Sequence, residues 1–294
     1  MGKPFKEFSD LCAFGLETIE ASIDLIHKMG PSGVEIVAER EGEYRYWDPE
    51  TLKVDRDCEN LFIERIKKKE LNCLFLSEEC GQQEFKTGKG ERVVVVSDPF
   101  DGSLLYKRQI PAFWFTTLAF LKESGAGLAA VVGDCAARQV DFCDGGKAYT
   151  GRLNRGQLEG FRPVRPNQTK ELKNAFVESY LMKPHYLYPA VKDFEPFFSK
   201  VKFLLPNGGP GGFSDVASGR TDIYFAHKQP FTDIFAGLPI AQAAGCTISD
   251  FDGNPVQFKA DVKSRWNIIC ACTQELHAQV LSAIKGCPRA DVTK

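Results

Sequence analysis

Asp98 and Asp101 lie three residues apart in the run Asp98-Pro99-Phe100-Asp101-Gly102-Ser103, which directly follows Val93-Val94-Val95-Val96-Ser97. A short run of β-branched residues reads as a buried strand, and Pro99, with no N–H for a ladder, ends it. Both carboxylates therefore leave a strand end on a tight turn and can face one small volume. A second apolar run, Cys73 to Leu76, ends the same way in Ser77, Glu78 and Glu79. If the two strands are parallel neighbours, Glu78 comes to stand beside Asp98. Carboxylates gathered in this way suit a hard cation. Magnesium takes oxygen ligands at about 2.1 Å in octahedral geometry and prefers a few carboxylates plus a substrate phosphate to a closed protein cage. Gly102 and Ser103 can open a short helix or turn whose free N–H groups hold an anion. The plainer alternative is that Asp98 and Asp101 only cap a turn; the strand exit, the Pro, Gly and Ser, and the upstream Glu pair weigh against it.

These residues need elements to position them. Ser9 caps a helix running to about Lys28, with Leu11, Phe14, Ile19, Ile23 and Ile26 on one stripe, and Gly30 and Pro31 end it. Val34 to Tyr46 reads as a strand or hairpin, and Asp57 opens a second helix towards Lys69. From Leu71 to Thr150 the chain turns to short β-rich runs at 73–76, 92–97, 113–121, 128–132 and 139–142, which predict a largely antiparallel sheet. Gly151 to Thr169, rich in Gly and Pro, reads as the connection between two lobes, residues 1–160 and 161–294. The second lobe alternates strands (176–180, 203–205, 223–225, 267–270) with helices (188–200, 234–244, 274–285), an α/β pattern.

Composition excludes some partners. With 37 Lys and Arg against 39 Asp and Glu there is no basic field to concentrate nucleic acid. No apolar run reaches the roughly 20 residues that span a bilayer, and Met1 to Lys28 lacks the pattern of a signal peptide, so the expectation is a cytoplasmic protein. Ten scattered cysteines, with no Cys-x-x-Cys spacing, read as free thiols in structural roles. The four histidines fall in no ligand spacing and read as surface or packing residues; His227 alone is a candidate to face the cleft.

Ser77 to Glu79, Asp98 to Ser103 and Thr232 to Gly245 resemble the three signatures of the inositol monophosphatase family, whose superfamily includes fructose-1,6-bisphosphatases and bisphosphate nucleotidases. The likeness runs in order from Asp55 to the last helix. It implies an α+β fold, a layered α-β-α-β-α sandwich with an antiparallel sheet in the first lobe and a mixed α/β second lobe. It implies Mg2+, two or three ions per site: Glu78, Asp98 and the carbonyl of Phe100 for the first, and Asp98, Asp101 and Asp233 for the second. Asp233 also reads as a plain helix cap. Glu79 is either a ligand of a third, weaker ion or a solvated pairing partner. In the mechanism that the resemblance implies, the metals polarise the phosphoryl oxygens and activate a water that attacks phosphorus directly. Ser103, which matches a family Thr, positions that water with Glu78, and Asp55 hydrogen-bonds the hydroxyl.

On the substrate side Gly102, Ser103, Gly208, Gly209 and Lys228 are the candidates, although Gly208 and Gly209 also fit an ordinary turn. Thr232 stands where the family has Trp, and Leu104, Leu105 and Tyr106 replace a Thr-Asn-Phe continuation. Ala226 replaces the acidic residue that meets a ring hydroxyl in inositol-specific members, while Lys228 could hold a second phosphate, as in microbial members that accept fructose 1,6-bisphosphate. Lys107 and Arg108 are either solvated charges or phosphate contacts. The expected activity is Mg-dependent hydrolysis of a phosphate monoester of a small polyol or sugar. A nucleotide 3'-phosphatase and a degenerate binding protein are the alternatives, and a homodimer is common among similar proteins.

Overall fold

The computed structural model describes residues 2–40 and 49–288. Helix α1 (Asp10–Met29) starts at Ser9, whose Oγ accepts from Cys12 N at 3.4 Å, and buries Leu16, Ile19, Ile23 and Ile26. Strand β2 (Ile36–Glu39) pairs with β3 (Glu50–Leu52), so the expected hairpin is present in part, and residues 41–46 of it lie outside the described residues. Helix α2 spans Lys53–Lys69 and so begins before the expected Asp57. The reason is that the capping carboxylate is Asp55, inside the first turn, where its Oδ2 accepts from Leu52 N at 2.7 Å.

Nine strands form the first sheet. Across it lie β1 (Lys3–Pro4), β11 (Gln157–Pro163), β10 (Lys147–Asn154), β9 (Gln139–Asp144), β8 (Gly127–Asp134), β7 (Phe115–Leu121), β6 (Val93–Ser97), β4 (Cys73–Ser77) and β5 (Gly81–Phe85). Every neighbouring pair is antiparallel except β4 and β6. Alternation along β6 splits the core: Val93 and Val95 face α1 and α2, while Val94 and Val96 face the opposite layer.

The stretch expected to connect two lobes is instead largely strand. Residues 151–163 complete β10 and form β11, joined by a turn at Arg155 and Gly156 with φ of 49° and 77°. Glycine there serves a hairpin rather than a linker.

The second sheet is mixed, with the order β13 (Phe203–Leu205), β12 (Phe176–Glu178), β14 (Ile223–Pro230), β16 (Arg265–Ala271), β15 (Thr247–Asp250). Between the sheets lie α6 (Pro210–Ala217) and α7 (Phe231–Ala244), and α7 is buried on all sides from Phe231 to Ala241 because sheets cover both its faces. Helix α8 (Gln274–Ala283) packs on the outer face of the second sheet, with α4 (Pro184–Asp193) and α5 (Glu195–Phe198) nearby. The helix expected over 188–200 is thus two pieces that start earlier, because Pro196 has no N–H to continue the ladder through Phe194. The layers read helix, sheet, helix, sheet, helix, the α+β sandwich expected. Among the described residues no helix is long and apolar enough to cross a membrane. All ten cysteines are free thiols.

Candidate active site

The site begins at the parallel pair. Ser77 of β4 is opposite Ser97 of β6, so the next residues, Glu78 and Asp98, leave the sheet side by side. Asp98 is anchored in its turn by Thr117: Asp98 N donates to Thr117 Oγ1 at 2.9 Å, and Thr117 N donates to the Asp98 carbonyl at 2.9 Å. Its Oδ1 accepts from Phe100 N at 3.1 Å, which fixes the backbone at Phe100, whose ring is buried against Tyr106 at 5.2 Å. Asp101 returns to the sheet by exchanging hydrogen bonds with Phe115 at 2.9 and 3.0 Å.

Asp233 arrives from the other layer, in the first turn of α7 directly after β14. Side-chain oxygens of Glu78, Asp98 and Asp233 lie within 4.8 Å of one another. Gly209 ties Asp101 to this group. A Cβ at Gly209 would lie 2.7 Å from Asp101 Oδ2 and 3.7 Å from Asp233 Oδ2, and its φ is +69°, so the backbone approaches the carboxylates as only glycine allows.

Electrostatics makes the cluster costly as it stands. Burial, and then the charges of Glu78, Asp101, Asp233 and Glu79, push the Asp98 carboxyl far above the usual range. Burial and the charges of Asp101 and Glu78 push Asp233 up likewise, against the pull of Arg265 and Lys183. A cation would relieve that repulsion. An all-oxygen donor set within 4.8 Å fits a hard divalent ion, and the residues present therefore match the metal implied by the sequence.

Arg40 is a site residue that the sequence did not reveal. Its Nη1 lies 3.2 Å from Glu78 Oε1 and its Nη2 pairs with Glu79 Oε1, while Thr51 Oγ1 donates to Glu79 Oε2 at 3.2 Å. Glu79 is therefore a half-buried ion-pair partner rather than a solvated one, and burial, opposed by Arg40, pushes its carboxyl up to about 8.

Ser103 opens the short helix α3 (Ser103–Lys107), and its Oγ donates to Asp55 Oδ1 at 2.6 Å. Gly102, with φ of +103°, passes so close to the strand entering β7 that a Cβ would meet Phe113 O at 2.4 Å.

A cavity of about 250 Å³ opens onto the cluster, and Glu78, Phe100, Asp101, Gly102, Ser103, Gly208, Gly209 and Asp233 line it. Gly208 packs on Tyr180. Lys228 is not among the lining residues; among the described residues the cations on the wall are Arg40, Lys183 and Arg265, joined by the rings of Tyr180 and Tyr186 and by Asn207. Lys107 pairs with Glu50 and Arg108 is exposed. His227 is buried against Phe194 and Phe251 rather than facing the cavity, and burial lowers its pKa to about 4. The missed residues come from separate stretches of chain, Arg265 from the start of β16 and Tyr186 from α4 among them, and carry no local motif.

Over 238 residues the sequence is 28% identical to a fructose-1,6-bisphosphatase of Pyrococcus furiosus, covering 80% of this chain and 84% of the relative. Over 207 residues it is 25% identical to an inositol-1-monophosphatase of Bacillus subtilis, covering 70% and 74%. The fold superimposes on extragenic suppressor protein suhB of Bartonella henselae with a TM-score of 0.76 at 18% identity, covering 95% and 99%. The sequence profile of one family matches residues 35–289, a span that holds all the carboxylates of the cluster, and by that match the chain belongs to the inositol monophosphatase family.

Proposed function

We propose that this protein is a magnesium-dependent phosphomonoesterase acting on a small phosphorylated polyol or sugar, with inositol phosphate and fructose 1,6-bisphosphate as the first substrates to test. The observation that carries this reading is the convergence of Glu78, Asp98 and Asp233 within 4.8 Å from three separate stretches of chain. The names of the Pyrococcus and Bacillus relatives support it.

Glu78, Asp98, Asp101, Asp233 and the backbone at Phe100 would hold two magnesium ions, which when bound supply positive charge to the phosphoryl oxygens and the leaving oxygen. The remaining work falls to groups of the chain. Because Ser103 gives its proton to Asp55, its lone pairs are free to accept from a water and aim it at phosphorus. Asp55 keeps that orientation through its second bond, to Leu52 N. Water forms the new P–O bond and gives up a proton, the ester P–O bond breaks, and its electron pair leaves on the ester oxygen, which takes up a proton in turn. No cysteine lines the cavity, and direct attack needs none.

Lys183 and Arg265 on the cavity wall favour a substrate with a second anionic group. The rings of Tyr180 and Tyr186, edge-on at 5.2 Å, favour a second reading, a nucleoside phosphate whose base packs there. Phosphate release from a panel of inositol, sugar and nucleotide esters tests both. Turnover should require magnesium and stop in chelator; a purified protein that releases phosphate from none of them in saturating magnesium sinks the proposal.

A further inference from the structure

Asn207 lies on the cavity wall two residues before Gly209, and it is 4% exposed. Its Nδ2 donates to Glu178 Oε1 at 2.8 Å. With the nitrogen end committed, Oδ1 is the end presented to the cavity. A flip would set one oxygen against another and leave a buried acceptor without a donor, a costly exchange.

Glu178 is an unusual residue to find there. It closes β12, is fully buried, and contacts none of the metal-cluster carboxylates among the described residues. Burial, and then the charge of neighbouring Asp215, push its carboxyl well above the usual range. Asp215 is its other hydrogen-bond partner, so a proton held by the carboxyl is shared with Asp215 and Oε1 remains the acceptor of the Asn207 amide. Asp215 is in turn held by Arg220 Nε at 2.5 Å, and Arg220 also pairs with Asp141 of β9. A chain of polar contacts thus runs from the first sheet, through α6, to the cavity wall.

We propose that Asn207 accepts a hydrogen bond from a substrate hydroxyl and that Glu178 is the positioning residue that holds its carboxamide in that orientation. The inference deepens the phosphatase reading and rests on it. An amide oxygen only accepts, so it favours a neutral donor at that point and disfavours a second anion, which brings only acceptors. The substrate class is therefore a phosphate ester whose carbon skeleton carries a free hydroxyl within reach of the 207–209 turn. Neither Asn207 nor Glu178 belongs to a motif that a sequence search would single out, and the proposed hydrolysis makes no use of the buried acid.

The test compares kcat/KM for whichever of inositol 1-phosphate and fructose 1,6-bisphosphate is hydrolysed with that for p-nitrophenyl phosphate, which has no hydroxyl. Asn207→Leu and Glu178→Leu should lower the ratio of the two roughly tenfold or more, the value of one lost hydrogen bond. Glu178→Gln keeps the carbonyl acceptor and should stay close to wild type. A ratio unmoved by Asn207→Leu, or a Glu178→Gln variant as impaired as Glu178→Leu, overturns the inference while leaving the phosphatase reading intact. Should Glu178→Leu fail to fold, Asn207→Leu and Glu178→Gln decide the matter. A wild type that turns over no ester overturns both.

Discussion

Ser77 and Ser97 are opposite one another in the parallel register that joins β4 to β6, the one parallel pairing in the nine-stranded sheet. Two strands that point the same way end at the same edge, and each is followed at once by an acidic residue, Glu78 or Asp98. The candidate metal site is thus a consequence of strand direction. A pairing slipped by two residues would carry Glu78 about 7 Å along the edge, beyond sharing an ion with Asp98.

Replacing Asp98 should separate stability from activity. Asp98→Asn removes a buried charge that its neighbours oppose, so the metal-free protein should melt a few degrees higher. Its magnesium affinity and its phosphate release should fall, the latter by roughly 10² to 10³-fold or more. Calorimetric melting in chelator and a magnesium titration check the two halves.

Asp98, Asp233 and Glu79 all have their carboxyls pushed up in the folded protein, Glu79 to about 8. The folded state therefore binds more protons than the unfolded chain above the ordinary carboxylate pKa of about 4, and stability falls as pH rises. In chelator, melting temperature should decline from about pH 5 towards pH 8. Saturating magnesium should flatten the decline, since it stabilises the deprotonated cluster. A chelated protein whose melting temperature climbs over that range contradicts the assignment.

Ser103→Ala should lower kcat by roughly 10² or more, because it removes the hydroxyl proposed to orient the attacking water. Ser103→Thr keeps the hydroxyl and should retain activity. Asp55→Asn should lose activity and also about 1 kcal/mol of stability, since Asp55 caps α2 as well.

Gly209 and Gly245 make a contrast. Both have positive φ, +69° and +88°, but ψ is −158° at Gly209 and 23° at Gly245, and a Cβ at Gly209 meets Asp101 Oδ2 at 2.7 Å while one at Gly245 meets nothing within 4 Å. Gly245→Ala should cost about 1–2 kcal/mol of left-handed strain, and Gly209→Ala more, because its backbone region admits essentially only glycine. Only Gly209→Ala should also weaken magnesium binding, read by calorimetric titration of the two variants.

Arg40→Ala should bind magnesium more tightly, roughly tenfold, because a cation that pairs with Glu78 and Glu79 is removed and the local potential becomes more negative. The metal-free variant should be less stable than wild type, since two half-buried carboxylates lose their partner. Weaker magnesium binding by this variant would show that Arg40 supports the site instead of competing with it.

The legible parts of the site were those written in consecutive residues. Val93 to Ser103 announces a buried strand, a Pro stop and two carboxylates, and both the strand and the turn are present. The start of α2 was misplaced because Asp57 looks like an N-cap, whereas the capping group is Asp55. Strand β5 was missed because Gly81 to Phe85 is a polar edge strand with no apolar face to betray it. The β10–β11 hairpin reads as a connection in the sequence because glycine marks hairpin turns and linkers alike.

By itself the sequence determined the family, and through that resemblance the layered class and the candidate carboxylates, because strand stops and short motifs are local properties of a chain. Tertiary structure decided what stands around them. Arg40 reaches Glu78 and Glu79 across 38 and 39 residues, and Asn207 reaches Glu178 across 29. Lys183 and Arg265 replace Lys228 as cations of the cavity wall. Such contacts follow from how loops cross at the edges of two sheets, and no window of sequence contains both partners.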